Sequence, residues 1–361
     1  MPEPGQVFRI AAIPGDGVGA EVVAAGRAVL DALAARSGGG FGFAWREFPW
    51  GSAYYAEHGT MMADDGLAEL ADFDAIYFGA VGWPTVPDHV SLWGLRLRIC
   101  QSFDLWANVR PVRFLPGVTS PLRAADDTEL DWVVVRENSE GEYAGFGGRN
   151  FAGRGAGEEV AVQSAVFTEA GCERVMRFAF DLARGRANKK VSSVTKSNAQ
   201  QYGMVLWDEV FRRVAADYPD VRTESVLVDA MAASFVLRPA DLSVVVASNL
   251  HADILSDLGS ALAGSLGLAA SANLDPRRRH PSMFEPVHGS APDIAGQGVC
   301  NPVGAIGSAA LMLDHLGLDT AAKAVRRAIE ATTAAGIRTR DVGGTASTAE
   351  VTAAVIDRLD G

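Results

Sequence analysis

Residues 242–258 read LSVVVASNLHADILSDL. Leu242–Ala247 is a nearly continuous apolar run, followed by a helical pattern carrying Ile254, Leu255 and Leu258. A strand apolar on both faces is one that is covered on both faces. A strand that hands directly to a helix is the repeating unit of an α/β fold. The handover recurs along the chain. Val7–Ile13, Ala75–Phe78, Trp132–Val135, Val191–Val194 and Ser225–Val228 read as further strands. Ala20–Ala35, Glu169–Ala183, Met204–Ala216, Ala321–Ala335 and Thr348–Leu359 read as helices. The pattern predicts an α/β protein with a mostly parallel sheet. The Gly-rich segment Gly145–Gly157 reads as a loop or the start of an arm leaving that sheet.

The same stretch carries chemistry. Asp253 and Asp257 are four residues apart, so their carboxylates share one helix face and repel by a few tenths of a kcal/mol unless neutralised. One reading is a solvated helix start, where acids favour the positive end of the dipole. The other is a hard divalent cation, which takes paired carboxylate oxygens and completes its shell with water and substrate. Asp229, directly after Ser225–Val228, is a third acid at the carboxyl end of a strand, where α/β sites are usually built.

Arg110 and Arg136 lie at or near strand ends, and Arg136 interrupts an apolar run. A buried guanidinium needs a carboxylate, supplied by a ligand or internally, with Glu137 and Asp104 as internal candidates. Tyr143 is either a proton donor or a packed aromatic. Pro14-Gly15-Asp16-Gly17-Val18-Gly19 has the spacing G-x-G-x-G rather than G-x-G-x-x-G, so a tight packing turn is at least as good a reading as a cofactor loop. Glu285-Pro-Val-His288-Gly289-Ser290-Ala291-Pro292-Asp293-Ile294, followed by Asn301-Pro302, combines close-approach residues with a His and an Asp suited to ribose hydroxyls. As a set these residues look like a cofactor cradle.

The 361 residues exceed one ordinary compact core, so two lobes are expected. The formal charge of -12 argues against a nucleic-acid partner, because phosphate binding depends on Lys and Arg. Cys100, Cys172 and Cys300 are too few and scattered for a disulfide framework or a zinc site, and they suit a reducing cytoplasm. The N-terminal residues have no secretory pattern, and no apolar run approaches the roughly 20 residues of a membrane helix. Arg277–Arg279 reads as a solvated loop.

GDGVGAEV, NVRP, VVRENSEGEY, TKSN, VDAM, SNLHADILSDL and EPVHGSAPDIAGQGVCNP, in this order from about residue 9 to residue 345, together resemble the β-decarboxylating dehydrogenases. These include isocitrate, 3-isopropylmalate and tartrate/D-malate dehydrogenases. SAYYAEHGTMMADD and YFGAVGWPTVPDHVSLWG look most like the tartrate/D-malate branch.

The resemblance implies an isopropylmalate dehydrogenase-like two-lobed α/β/α fold, distinct from a standard Rossmann domain. Residues 1–104 and 259–361 would form a large cofactor lobe, and 105–258 a small lobe with an arm and the dimer interface. The active site would lie in a cleft completed by the partner subunit of a homodimer. Arg110 and Arg136 match substrate-carboxylate arginines, and Tyr143 the acid that protonates the enol. Lys196 matches a catalytic lysine paired with Asp229. Asp253 and Asp257 match metal ligands of one subunit, and Asp229 the ligand from the other. Glu285, His288, Gly289, Ser290, Ala291, Asp293, Ile294 and Asn301 match the adenosine side of the cofactor site, and Asn198 a residue near the nicotinamide.

A carboxylate at Asp293 repels a 2′-phosphate, which favours NAD over NADP. Mg2+ or Mn2+, with a monovalent cation such as K+, completes the implied set. The chemistry implied is oxidation of a small 2-hydroxy diacid of the D-malate or tartrate type, with Lys196 and Asp229 as base. The relatives carry an Arg where this chain has Cys100. Arg96, one helical turn earlier, is therefore expected to take over the guanidinium role and alter the substrate. The alternatives are a tolerated change with weaker malate binding, a 3-isopropylmalate or other 3-substituted malate dehydrogenase, and a catalytically silent binding or regulatory homologue.

Overall fold

The structure, a computed structural model, describes residues 5–122 and 130–359. The strands, in chain order, are β1 Gln6–Gly15, β2 Phe41–Glu47, β3 Ala75–Ala80, β4 Ala107–Arg113, β5 Asp131–Glu137, β6 Gly141–Asn150, β7 Val160–Val166, β8 Lys190–Thr195, β9 Arg222–Leu227, β10 Val244–Ala247, β11 Ala270–Leu274 and β12 Ser282–Pro286. The chain divides into two compact units. The first comprises Met1–Leu105, Val109–Leu130 and Gly259–Gly361, and the second Trp106–Asn108 and Asp131–Leu258. The outermost ends of the expected large lobe, residues 1–4 and 360–361, lie outside the described residues. Where the sequence pattern starts the middle lobe at residue 105, the chain from Val109 packs with the first unit. Val112 is buried there, Arg113 pairs with Glu330 at 2.8 Å, and Ser120 donates to the Leu262 carbonyl.

In the first unit the strand order is β2-β1-β3-β12-β11. β1 pairs parallel with β2 and β3, β3 parallel with β12, and β11 runs antiparallel to β12. Every residue of β3 is buried, as its unbroken apolar sequence requires. One face is covered by the helices Gly19–Arg36, Val303–His315 and Asp319–Ala334, which contribute Val22, Leu30, Ile306, Leu313, Val325 and Ala328 to a single apolar cluster. The helix Thr348–Asp357 is held by a capping box between Ser347 and Glu350.

In the second unit the order is β5-β10-β8-β9, all parallel. The helix Glu169–Arg184 begins at Thr168, whose hydroxyl accepts from the Gly171 amide, and lays Val175, Met176, Ala179 and Phe180 inward. Phe180 is fully buried, stacks on Tyr218 at 4.8 Å and meets Phe211 at 5.6 Å. β6 and β7 form a separate antiparallel ribbon, so Gly145–Gly157 is partly strand; this ribbon is the arm that the Gly-rich composition allows. Asp229 falls in the first turn of the helix Val228–Leu237, immediately beyond β9. Among the described residues no helix is long and apolar enough to cross a membrane.

Two measurements test this packing. Phe180→Ala should cost about 3–5 kcal/mol by denaturant titration, the usual loss for an aromatic core residue. His315 ends the helix Val303–His315 against Phe284 at 5.5 Å, and burial, helped by the nearby Arg278 charge, pushes its imidazole down to about 4. The unfolded chain titrates at about 6.5 and so binds more protons than the native one between the two values. Stability should therefore fall as pH drops through that window, and His315→Gln should flatten the fall.

Candidate active site

β5 and β10 pair so that Arg136 lies opposite Ala247. Two residues beyond Ala247 the helix Asn249–Leu262 begins, which brings its first turns over the Arg136 side chain. Arg136 Nε donates to Asn249 Oδ1 at 2.8 Å, and Nη1 donates to Asp253 Oδ1 in an ion pair. Arg136 is buried, so its charge requires this carboxylate. The internal partner is Asp253. Glu137 instead accepts from the Ser139 hydroxyl and the Glu140 amide, and Asp104 accepts from Arg279 at 2.9 Å.

Tyr143, on β6, donates to Asp253 Oδ2 at 3.1 Å, and the Arg136 guanidinium lies 5.4 Å from its ring centre. Burial and the Asp253 charge push the Tyr143 phenol above its ordinary value, so it keeps its proton at neutral pH. Asp253 is the fifth residue of its helix, and no acid lies in the first turn. The helix-dipole account therefore does not explain it. Asp257, one turn on, is exposed, as is Ile254, while Leu255 is buried.

β8 and β9 pair with Thr195 opposite Leu227. The residues just past both strand ends, Lys196 and Asp229, consequently meet, with Nζ 2.6 Å from Oδ1. The hydrogen bond from Lys196 holds the Asp229 carboxyl below its ordinary value. Asp229 is exposed, Lys196 partly so, and Asn198 exposed beyond them. Among the described residues no three His, Cys, Asp or Glu side chains gather as metal ligands, so one chain does not bring Asp229 to Asp253 and Asp257. The two carboxylates on one helix face are donors of the type a hard divalent ion takes.

The late segment belongs to the first unit. Glu285, the penultimate residue of β12, is buried, as is Ser290, while Gly289 and Asp293 are exposed. His288 Nε2 is buried with no hydrogen-bond partner, and burial lowers the imidazole below its ordinary value, leaving it neutral. Beside it, a Cβ built on Gly289 would meet open space, and Ala291 adopts φ +41°. An orphaned imidazole nitrogen next to an open backbone cradle fits the polar groups of a dinucleotide. Asn301 donates to Asp341 at 3.0 Å and caps the Val303 amide.

The glycine turn is a packing device. A Cβ on Gly17, at φ +57°, would fall 2.0 Å from the Ser290 carbonyl oxygen, and the Val18 amide donates to that same oxygen. Asp16 is buried and accepts from the Ser52 amide and hydroxyl and the Gly82 amide. The turn thus supports the Ser290 segment from below. Glu21, which the sequence pattern does not single out, does likewise by accepting from the Gly296 and Gly298 amides. Its signal was only an acid in the first turn of a helix. Asn249 and Asp341 likewise lack a spacing that would reveal them.

Arg110 is buried in β4 within the first unit. Cys100 is buried in an apolar cluster with Ile99, Leu105 and Met61, where a charge would be costly. Arg96 is bound by Glu285 at 2.7 Å. The guanidinium expected to replace the one missing at Cys100 therefore has an internal carboxylate in its fork.

The model of the family described as isocitrate/isopropylmalate dehydrogenase matches residues 9–355. The chain belongs to that family, and is an oxidoreductase of the two-unit α/β type. It is 58% identical over 354 residues to a probable tartrate dehydrogenase/decarboxylase of Agrobacterium vitis, covering 98% of both chains. It is 49% identical to a tartrate dehydrogenase/decarboxylase of Pseudomonas putida, covering 99% of both chains. It is 48% identical to the decarboxylating D-malate dehydrogenase of Escherichia coli, covering 97% of this chain and 98% of that one. Isocitrate dehydrogenase from Methylococcus capsulatus has a similar structure, with TM-score 0.86 at 33% identity, covering 98% of this chain and 99% of that one.

Arg136→Met should remove a hydrogen bond to Asn249 and an ion pair with Asp253. A loss of about 2 kcal/mol in urea unfolding is expected, the scale of a charge-assisted hydrogen bond.

Proposed function

We propose that the protein oxidises a small 2-hydroxy diacid of the D-malate or tartrate type at C2, with NAD as acceptor and with loss of the β-carboxylate as CO2. The observation that carries this reading is the pairing of two proton-handling groups with carboxylates, Tyr143 on Asp253 and Lys196 on Asp229. The names of the tartrate and D-malate relatives support the substrate class.

In this reading Arg110 and Arg136 bind substrate carboxylates, Asp253 and Asp257 hold Mg2+ or Mn2+, and His288–Ile294 with Asn301 holds the adenosine half of NAD. The exposed Asp293 carboxylate disfavours a 2′-phosphate. When bound, the divalent ion supplies Lewis acidity at the C2 oxygen and NAD accepts the hydride. Lys196, oriented by Asp229, takes the C2 hydroxyl proton as hydride leaves the carbon. The 2-oxo group then lets the β-carboxylate depart as CO2, its bonding electrons passing into the enolate. Tyr143, whose raised pKa keeps it protonated, delivers a proton to C3.

A homodimer with shared sites is part of the proposal, with Asp229 and Lys196 serving the partner's Asp253 and Asp257. Its support is that one chain does not gather the three acids, while Phe146, Val160 and Val162 on the β6–β7 ribbon and Val236 and Leu237 after it in the same unit are exposed apolar side chains. Three buried cysteines, none of them in a disulfide, suit the reducing cytoplasm expected from the sequence.

The test is NADH formation with Mg2+ or Mn2+ against D-malate, the tartrate stereoisomers, 3-isopropylmalate and isocitrate. Turnover of D-malate or a tartrate is expected, and none with any of the panel sinks the proposal. Lys196→Met should lower kcat by about 10²–10⁴-fold, the usual contribution of general acid–base catalysis. Asp229→Asn and Asp253→Asn should each be inactive alone. Mixed and re-associated, they should recover about a quarter of wild-type activity, because half the dimers are hybrids with one intact site. No recovery in re-formed hybrids would show the sites to be unshared.

A further inference from the structure

Two segments that the sequence pattern assigns to different ligands are joined inside the first unit. Arg96 is the last residue of a π-helical turn, Leu92–Arg96, and such turns are frequent at functional positions. Glu285 is the penultimate residue of β12, three positions before the His288–Ile294 segment. Arg96 Nε lies 2.9 and 3.1 Å from the two Glu285 oxygens, and Nη2 lies 2.7 Å from Oε1. Asn273, a diagonal neighbour on β11, donates to Glu285 Oε1 at 2.7 Å, and its own carbonyl faces Arg96 Nη2 at 3.4 Å. The side chains of Arg96 and Glu285 are only 11% and 7% exposed. The Glu285 carbonyl is also held, by the Ser308 hydroxyl at 2.8 Å.

A buried ion pair adds little net stability over apolar packing. What it does add is orientation, because the planar fork fixes the carboxylate in two contacts at once. The strand end at Glu285 is thereby locked through side chain and main chain. The Val287 amide is bonded to the Ala269 carbonyl, and His288, with its orphaned Nε2, follows immediately.

We infer that Arg96 is a positioning residue for the cofactor: its ion pair with Glu285 latches the start of the His288–Ile294 segment, so Arg96 governs NAD affinity rather than diacid binding. This rests on the assignment of that segment to NAD under the proposed function.

Three variants test the latch. Arg96→Met removes the charge, Glu285→Gln removes its partner while keeping an acceptor for Asn273, and Arg96→Lys keeps the charge and the fold but not the fork. NADH affinity is measured by fluorescence titration without metal or diacid, KM is measured separately for NAD and diacid, and amide exchange is followed over residues 286–294. Arg96→Met and Glu285→Gln should each weaken NADH binding and raise the KM for NAD by about tenfold or more, the scale of a lost charge-assisted contact. Arg96→Lys should restore part of the loss. The KM for diacid should move less than about twofold, and exchange over 286–294 should quicken.

A raised diacid KM with NADH affinity and exchange unchanged overturns the inference and makes Arg96 a substrate reader. Wild-type protein that does not bind NADH overturns the cofactor assignment instead. Exchange then decides the latch alone, supporting it if faster in Arg96→Met and overturning it if unchanged.

Discussion

The constraint on which the second unit depends is the burial of a full positive charge at the end of β5. Arg136 interrupts a run of valines, and a guanidinium in that position is tolerable only with a carboxylate and a further acceptor at hand. The parallel pairing of β5 with β10 supplies both from one helix, because Asn249 and Asp253 follow β10 at the distance needed to reach back over Arg136. Tyr143 then joins from β6, and its phenol is held protonated by burial and by the charge it touches. A structural requirement, neutralising a buried arginine, and a chemical one, keeping a weak acid next to a carboxylate, are met by the same atoms.

The second pair, Lys196 and Asp229, follows from an even simpler rule. Adjacent parallel strands in register end together, so Lys196, first beyond β8, and Asp229, second beyond β9 in the first turn of its helix, become neighbours. Asp253, Lys196 and Asp229 all lie past the carboxyl ends of strands, where α/β proteins place their chemistry. In the first unit the glycine turn, Asp16 and Glu21 play a supporting part. The Val18 amide and the Glu21 carboxylate hold the Ser290–Gly298 backbone, while Asp16 ties the turn itself to Ser52 and Gly82.

Much of the fold was legible because buried parallel strands leave a strong signal. β3, β5 and β10 contain continuous apolar runs, β1 and β8 are apolar or β-branched stretches interrupted by Arg9 and by Ser192–Ser193, and the long helices between them appear as amphipathic repeats. β2, β11 and β12 were not legible. β2 is a partly exposed edge, whereas β11 and β12 are short and carry buried polar residues such as Ser271, Asn273 and Glu285 that disguise them. The β6–β7 ribbon was legible only as glycine-rich composition, since its side chains are mostly exposed in the single chain and show no burial pattern.

The sequence by itself determined the fold class, the helix face shared by Asp253 and Asp257, and the ordered motifs that place the chain in its family, because periodicity and spacing are local properties. Only the tertiary structure decided which charge answers which. Spacing left Arg136 with Glu137 or Asp104 as partners, and strand register gave it Asp253. Spacing put Arg96 on the face of Cys100 and Glu285 in a cofactor loop, and the packing of β12 joined the two. A buried charge takes the partner that the fold brings within hydrogen-bond reach, and that distance is set by residues over a hundred positions apart.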